Sequence, residues 1–122
     1  MKAVLDTNIV IYLQKGLLGE ALPTGQYAIS IITEMELLSF PGLNPSQKEW
    51  LDRFIADMNV IGIEHEVKRR AIEIRRDYRM RLPDAIIAAS AITTDALLFT
   101  NDQRMPGIPN LQVRALSLRQ ER

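Results

Sequence analysis

The sequence predicts an α/β fold, a three-layer α/β/α sandwich around a mainly parallel sheet of about five strands. Three observations carry this expectation. Short continuous apolar runs alternate with segments of helical periodicity. Those runs lack the apolar–polar alternation of a half-exposed strand, which is the pattern of a parallel sheet covered on both faces. No repeat, low-complexity tract or linker divides the 122 residues, so one domain over 1–122 is expected.

Ala3-Val4-Leu5 reads as the first strand, running directly into Asp6, and Asn8 to Gln14 as a helix. Tyr27 to Ser30 is a second strand. Ile32 to Ser39 is helical, with Ile32, Met35 and Leu38 three apart. The Pro41–Pro45 stretch is a loop. Ser46, with Glu49 three residues on, has the spacing of a capping box, opening a helix whose apolar stripe is Trp50, Leu51, Phe54, Ile55 and Met58. Val60 to Ile63 is a third strand. Glu64 to Arg79 is a long charged helix with Val67, Ala71, Ile74 and Tyr78 on one face. Pro83 opens a further helix to about Thr93, proline being favoured at the first helical position. Ala96 to Thr100 is a fourth strand and Gln112 to Leu116 a fifth.

Composition narrows the chemistry. Fifteen Lys and Arg balance fifteen Asp and Glu, which argues against retention on nucleic acid by bulk charge alone. The chain has no cysteine and one histidine, His65, which excludes disulfides, Cys-ligated zinc and thiol catalysis. His65 is expected on the surface, at the start of a charged helix. No apolar stretch approaches the roughly 20 residues of a membrane span, and the N-terminus does not read as a secretory signal. The cytosol is the default compartment, with no membrane partner.

Ligands of open α/β sheets bind beyond the carboxyl ends of the strands. Asp6 follows the first strand; Asn101 and Asp102 follow the fourth; Glu34 and Glu36 lie early in the helix after the second; Asp84 lies on the first turn after Pro83. Singly, each acid has a local reading. Asp84 suits a helix dipole, Thr33 and Glu36 a capping box, and Asp102 a turn. Gathered at one edge, such carboxylates repel unless a cation lies among them. A hard all-oxygen set suits magnesium or manganese rather than zinc.

In order and spacing, Leu5-Asp6-Thr7-Asn8, Ser30 to Leu38, Leu82 to Ala89 and Thr100-Asn101-Asp102 resemble the PIN domain, and within it the VapC-type toxins of bacterial toxin–antitoxin pairs. The resemblance spans nearly the whole chain. It implies a metal-dependent endoribonuclease whose family acids map onto Asp6, Glu36, Asp84 and Asp102, all four as catalytic residues and metal ligands. Glu36, rather than Glu34, matches the family's Thr-x-x-Glu-Leu pattern. Asn8 and Thr100 match polar positions that support the magnesium or manganese ion and its waters. Met105 stands where relatives often carry Phe, and a further acid often found shortly after Asp102 is absent. The resemblance also implies an RNA substrate, a homodimer, and a cognate antitoxin that inhibits by placing a basic side chain among the acids. The apolar residues of Asn8–Leu18 and of the helix around Trp50 and Phe54 exceed what a core needs and offer surfaces for such partners.

Between positions 64 and 81 lie seven of the fifteen basic residues. Glu64–Lys68 and Glu66–Arg70 spacing suggests solvated pairs for the first part. Arg76, Arg79 and Arg81, nearer Asp84, are the expected RNA contacts. Two other classes are weighed. An aspartate-nucleophile phosphatase wants a second Asp two positions after Asp6, where Asn8 stands, and a phosphorelay receiver wants a Lys after a late strand. The remaining alternative is a catalytically silent PIN-fold binding module.

Overall fold

The computed structural model describes residues 1–120. In chain order the elements are β1 (Lys2–Leu5), α1 (Thr7–Gln14), β2 (Gln26–Ser30), α2 (Ile31–Leu38), α3 (Pro45–Ala56), β3 (Asn59–Ile61), α4 (His65–Tyr78), α5 (Leu82–Thr93), β4 (Leu97–Phe99) and β5 (Val113–Arg114), with a 3-10 turn at Met105–Gly107. The five strands form one sheet in the order β3-β2-β1-β4-β5, and every neighbouring pair is parallel.

Successive side chains of a strand point to opposite faces, and the core divides accordingly. Val4 and Leu98 join Val67, Ala71 and Ile74 of α4 and the buried run Ala85–Ala89 of α5 on one face. Ala3, Leu5 and Phe99 join Ile9, Val10, Leu37 and Leu51 from α1, α2 and α3 on the other. This is the three-layer sandwich that the apolar runs predict. Along α5, every residue from Ala85 to Ala91 is buried, because alanines let α4 and the sheet close on both of its sides.

Several boundaries differ from expectation, each for a local reason. The cap of α3 is Asn44, not Ser46. The Asn44 side chain accepts from the Gln47 amide at 2.8 Å, and the Gln47 side chain accepts from the Asn44 amide at 3.0 Å. Two capping boxes overlap in this sequence, and Pro45, with no amide to satisfy, takes the first helical position and selects the earlier one. Helix α1 starts at Thr7 because Asp6 caps it, its carboxylate accepting from the Thr7 amide at 2.8 Å. Strand β3 ends at Ile61, short of Ile63, because its partner β2 ends at Ser30, which turns away to cap α2. Strand β5 has only two residues. The Asn101 side chain then continues the pairing, reading both the amide (2.8 Å) and the carbonyl (3.0 Å) of Leu116.

The strand order fixes where a site can form. From β1 the chain proceeds outward to β2 and β3, then returns to the other side of β1 for β4 and β5. The connections therefore diverge between β1 and β4, and a crevice opens beyond their carboxyl ends. Asp6 and Thr100 are the residues that follow those two strands.

Candidate active site

Asp6 is the most deeply placed of the acids, with 6% of its surface exposed. A charge there is costly unless hydrogen-bonded. Two groups provide the bonds. The Thr7 amide donates to Oδ1 at 2.8 Å, and the Thr100 hydroxyl donates to Oδ2 at 2.6 Å. Burial pushes the Asp6 carboxyl above its ordinary value. The Thr100 and Thr7 bonds oppose this, while the nearby charges of Asp84 and Asp102 push it further up. Thr100 also accepts the Asp102 amide at 3.0 Å, so one hydroxyl ties together the two acids that leave β1 and β4.

Asp84 sits on the first turn of α5, consistent with its dipole reading. Asp102 makes the turn expected of it, Oδ1 accepting the Arg104 amide at 3.0 Å. Both acids do more than this. The Arg104 guanidinium grips Asp102 with two bonds, Nε to Oδ1 at 3.0 Å and Nη2 to Oδ2 at 2.6 Å, and the same Nη2 reaches Asp84 Oδ2 at 3.2 Å. Arg104 accordingly holds the Asp102 carboxyl below the ordinary carboxylate range.

Glu36 joins through hydroxyls. The Thr7 side chain donates to Glu36 Oε1 at 2.8 Å and lies 3.0 Å from the Thr33 hydroxyl. Each hydroxyl carries one proton, so Thr33 is the donor in the second contact. The capping-box reading of Thr33 and Glu36 is corrected here. Ser30 caps α2, its Oγ accepting the Ile32 amide at 3.1 Å, and Thr33 lies buried within the helix. Asn8 is exposed on the first turn of α1, and Glu34 is half-buried near the start of α2.

The topology thus brings Asp84 and Asp102 onto a single nitrogen, links Asp6 to Asp102 through Thr100, and links Asp6 to Glu36 through Thr7. Among the described residues, no group of three or more His, Asp or Glu side chains is closed around one point at metal-binding spacing. The donor set still fits a hard divalent ion, because its oxygens are carboxylate and hydroxyl, although the Arg104 guanidinium occupies the position between two of the acids.

Arg104 and Thr7 are the residues that sequence reasoning missed. The Asp102–Arg104 spacing is visible in the chain, but Asp84 is 20 residues upstream of Arg104 and meets it only through the fold. His65 is exposed, as expected. On α4 the expected pairs are replaced. Arg69 bonds Glu66 at 2.9 Å and Glu73 at 2.7 Å, and Arg70 lies 3.9 Å from Glu73. Glu64 has extended backbone as the cap residue, so it leaves the face on which Lys68 stands. Arg76 is exposed and paired with Asp77 at 2.9 Å, while Arg79 and Arg81 are exposed at the turn between α4 and α5, close in sequence to Asp84.

Comparison with known proteins agrees with this architecture. The family model described as the PIN domain matches residues 3–111. A toxin–antitoxin complex from Klebsiella pneumoniae contains a chain with 33% identity and a TM-score of 0.72, covering 89% of this chain and 94% of that one. VapBC2 from Rickettsia felis, bound to a promoter DNA fragment, matches at 25% identity and a TM-score of 0.78, covering 94% and 98%. DNA-bound VapBC from Salmonella typhimurium shares the fold at 23% identity, with a TM-score of 0.80 and coverage of 94% and 98%. No curated protein matches the chain significantly.

Proposed function

The chain belongs to the PIN-domain family, and from that premise we propose that it is a metal-dependent endoribonuclease, the VapC-type toxin of a toxin–antitoxin pair. The observation that carries the reading is Asp6, buried at the point where the strand order reverses and within range of the charges of Asp84 and Asp102. Acids gathered at that crevice suit metal-assisted hydrolysis of a phosphodiester. The toxin–antitoxin complexes among the structural matches support the toxin assignment.

Asp6, Asp84, Asp102 and Glu36 would hold a magnesium or manganese ion. When bound, that ion supplies a polarised water and offsets the charge that develops on the phosphate. Thr100 fixes the Asp6 carboxylate and Thr7 orients Glu36, so both acids are aimed before substrate arrives. Glu36, half-buried at the start of an apolar groove, is a ligand or the group that orients the attacking water. Attack by water with departure of the 3′-oxygen would leave 5′-phosphate and 3′-hydroxyl ends, whereas attack by the ribose 2′-hydroxyl would leave a 2′,3′-cyclic phosphate. Asn8, exposed on the first turn of α1, would support the ion and its waters. Arg76, Arg79 and Arg81 would follow the RNA backbone toward Asp84.

The partners proposed are a cognate antitoxin and a second copy of this chain. A groove lined by Ile11, Leu37, Phe40, Leu43 and Leu51 runs beside Glu36 and suits an apolar peptide segment of the antitoxin. Among the described residues no helix is long and apolar enough to cross a membrane, and a cytoplasmic location is proposed.

The test is 5′-end mapping of cellular RNA after brief induction of the wild type and of Asp6→Asn. New monophosphate ends in the wild type alone support the nuclease. Identical ends from two folded proteins favour the second reading, a catalytically silent PIN-fold binding module. One observation favours that alternative: the guanidinium already bridging Asp84 and Asp102.

A further inference from the structure

We propose that Arg104 is the built-in counter-cation of the acidic crevice, that it competes with the divalent ion for Asp102 and Asp84, and that the ion binds by displacing it. The inference rests on the metal-nuclease reading and deepens it.

The geometry carries the argument. Both oxygens of Asp102 are engaged by one guanidinium, at 3.0 and 2.6 Å, in the fork that planar arginine makes with a carboxylate. The second bond of Nη2, to Asp84, places the positive charge between two acids from different elements, β4's trailing loop and the first turn of α5. A divalent ion sharing those oxygens would stand within a few ångströms of a full positive charge, which is repulsive at any plausible local dielectric. The fork must therefore open before the ion can take both acids.

Among the described residues, Asp102 and Asp84 are the side-chain partners of the Arg104 guanidinium. Its side chain is 55% exposed, while Asp84 and Asp102 are 20% and 23% exposed, so the guanidinium can swing into water while the acids stay in place. Its backbone is held by bonds that do not involve the guanidinium, the Met105 amide also reaching the Asp102 carbonyl at 3.2 Å. The Arg104 amide bonds Asp102, and the next residue, Met105, is fully buried as the start of the 3-10 turn. Movement of the side chain thus costs the loop little. The arrangement has a purpose in the metal-free protein. Without Arg104, the charges of Asp84, Asp102 and the buried Asp6 would oppose one another with no cation from the described residues among them.

The test is manganese titration by calorimetry, with thermal unfolding in EDTA, for the wild type, Arg104→Gln, Arg104→Lys and Arg69→Gln. Arg69 is the control: an exposed arginine that also grips two acids, but on α4. The expected result for Arg104→Gln is about tenfold tighter manganese binding, the relief expected where the closed fork leaves the site open about a tenth of the time, together with a lower melting temperature in EDTA. Arg104→Lys, which keeps the charge and loses the fork, should fall between it and the wild type. Arg69→Gln should bind as the wild type does. Equal or weaker manganese binding by Arg104→Gln would overturn the proposal, as would equal tightening by Arg69→Gln, which would mark a net-charge effect. No manganese binding by any of the four proteins would instead overturn the metal-nuclease reading on which the proposal rests.

Discussion

Two arginines in this molecule each grip two carboxylates, and they differ in almost everything else. Arg69 bonds Glu66 and Glu73, which are its own neighbours three and four residues away on α4; Arg69 and Glu66 are exposed and Glu73 is half-buried. Any helix with that spacing can make such a network, and solvent screens it, so it contributes little. Arg104 bonds Asp102, two residues away, and Asp84, 20 residues away, beside an acid that is almost wholly buried. That network exists because the sheet returns past β1 before laying down β4. An ion pair points to function when the fold, rather than helical spacing, brings its members together, and when an unneutralised acid lies next to it.

Substitutions should separate the two networks, beginning with the largest effect. Asp102→Asn should lower the rate of RNA cleavage by at least about a hundredfold, the scale on which loss of one charge-stabilising group acts. Glu73→Gln should leave that rate within about twofold. Initial rates on one RNA under saturating manganese measure both, and equal losses would erase the distinction between the networks.

Thr100→Val should come next. The change is nearly isosteric but removes the only side-chain donor to Asp6 among the described residues. Loss of this orienting hydroxyl should weaken manganese affinity by about 10–100-fold and destabilise the fold by about 1–3 kcal/mol through the unsatisfied carboxylate oxygen. Calorimetry and denaturant unfolding read the two effects separately.

Arg79→Gly sharpens the reading of the basic turn. Arg79 closes α4 in the left-handed region, φ 53°, which costs a side-chain-bearing residue about 1 kcal/mol that glycine does not incur. The variant should therefore be more stable than the wild type yet bind RNA less tightly, with a salt slope lower by about one. A more stable protein with unchanged RNA affinity would remove Arg79 from the RNA track.

The smallest effect lies beyond β5, at the edge of the sheet. Glu20 accepts from the Ser117 amide at 3.0 Å and its hydroxyl at 2.9 Å, and these bonds hold its carboxyl below the ordinary value. A lowered carboxyl contributes stability above its unfolded pKa and loses it as pH falls through the folded value. Protection of the Ser117 amide, taken against its intrinsic exchange rate at each pH, should thus fall on acidification, and Glu20→Gln should abolish that dependence without altering cleavage.

Much of the fold was legible because burial dictated residue type. The apolar runs at Ala3–Leu5 and Leu97–Phe99 admit few alternatives to internal strands, and the alanine-rich stretch after Pro83 suits only a helix packed on both sides. Asp6, Asp84 and Asp102 stood out because each trails a strand or opens a helix, whereas Glu36 lies in the second half of α2. Boundaries were less legible where two local signals compete, as with Asn44 and Ser46 before α3. Arg104 was hidden for a different reason. Its partner Asp102 lies close in sequence and reads as an ordinary turn, and only the return of the chain past β1 reveals Asp84 as the second. Thr7 was hidden likewise, since its hydroxyl meets Glu36 across 29 residues.

The most direct measurement is cleavage of a defined single-stranded RNA by the purified chain, with manganese, with EDTA, and with Asp6→Asn in place of the wild type. Metal-assisted hydrolysis at the crevice predicts products bearing 5′-phosphate and 3′-hydroxyl ends from the wild type with manganese only. Cleavage that persists in EDTA or in folded Asp6→Asn, or products ending in a 2′,3′-cyclic phosphate, would contradict it.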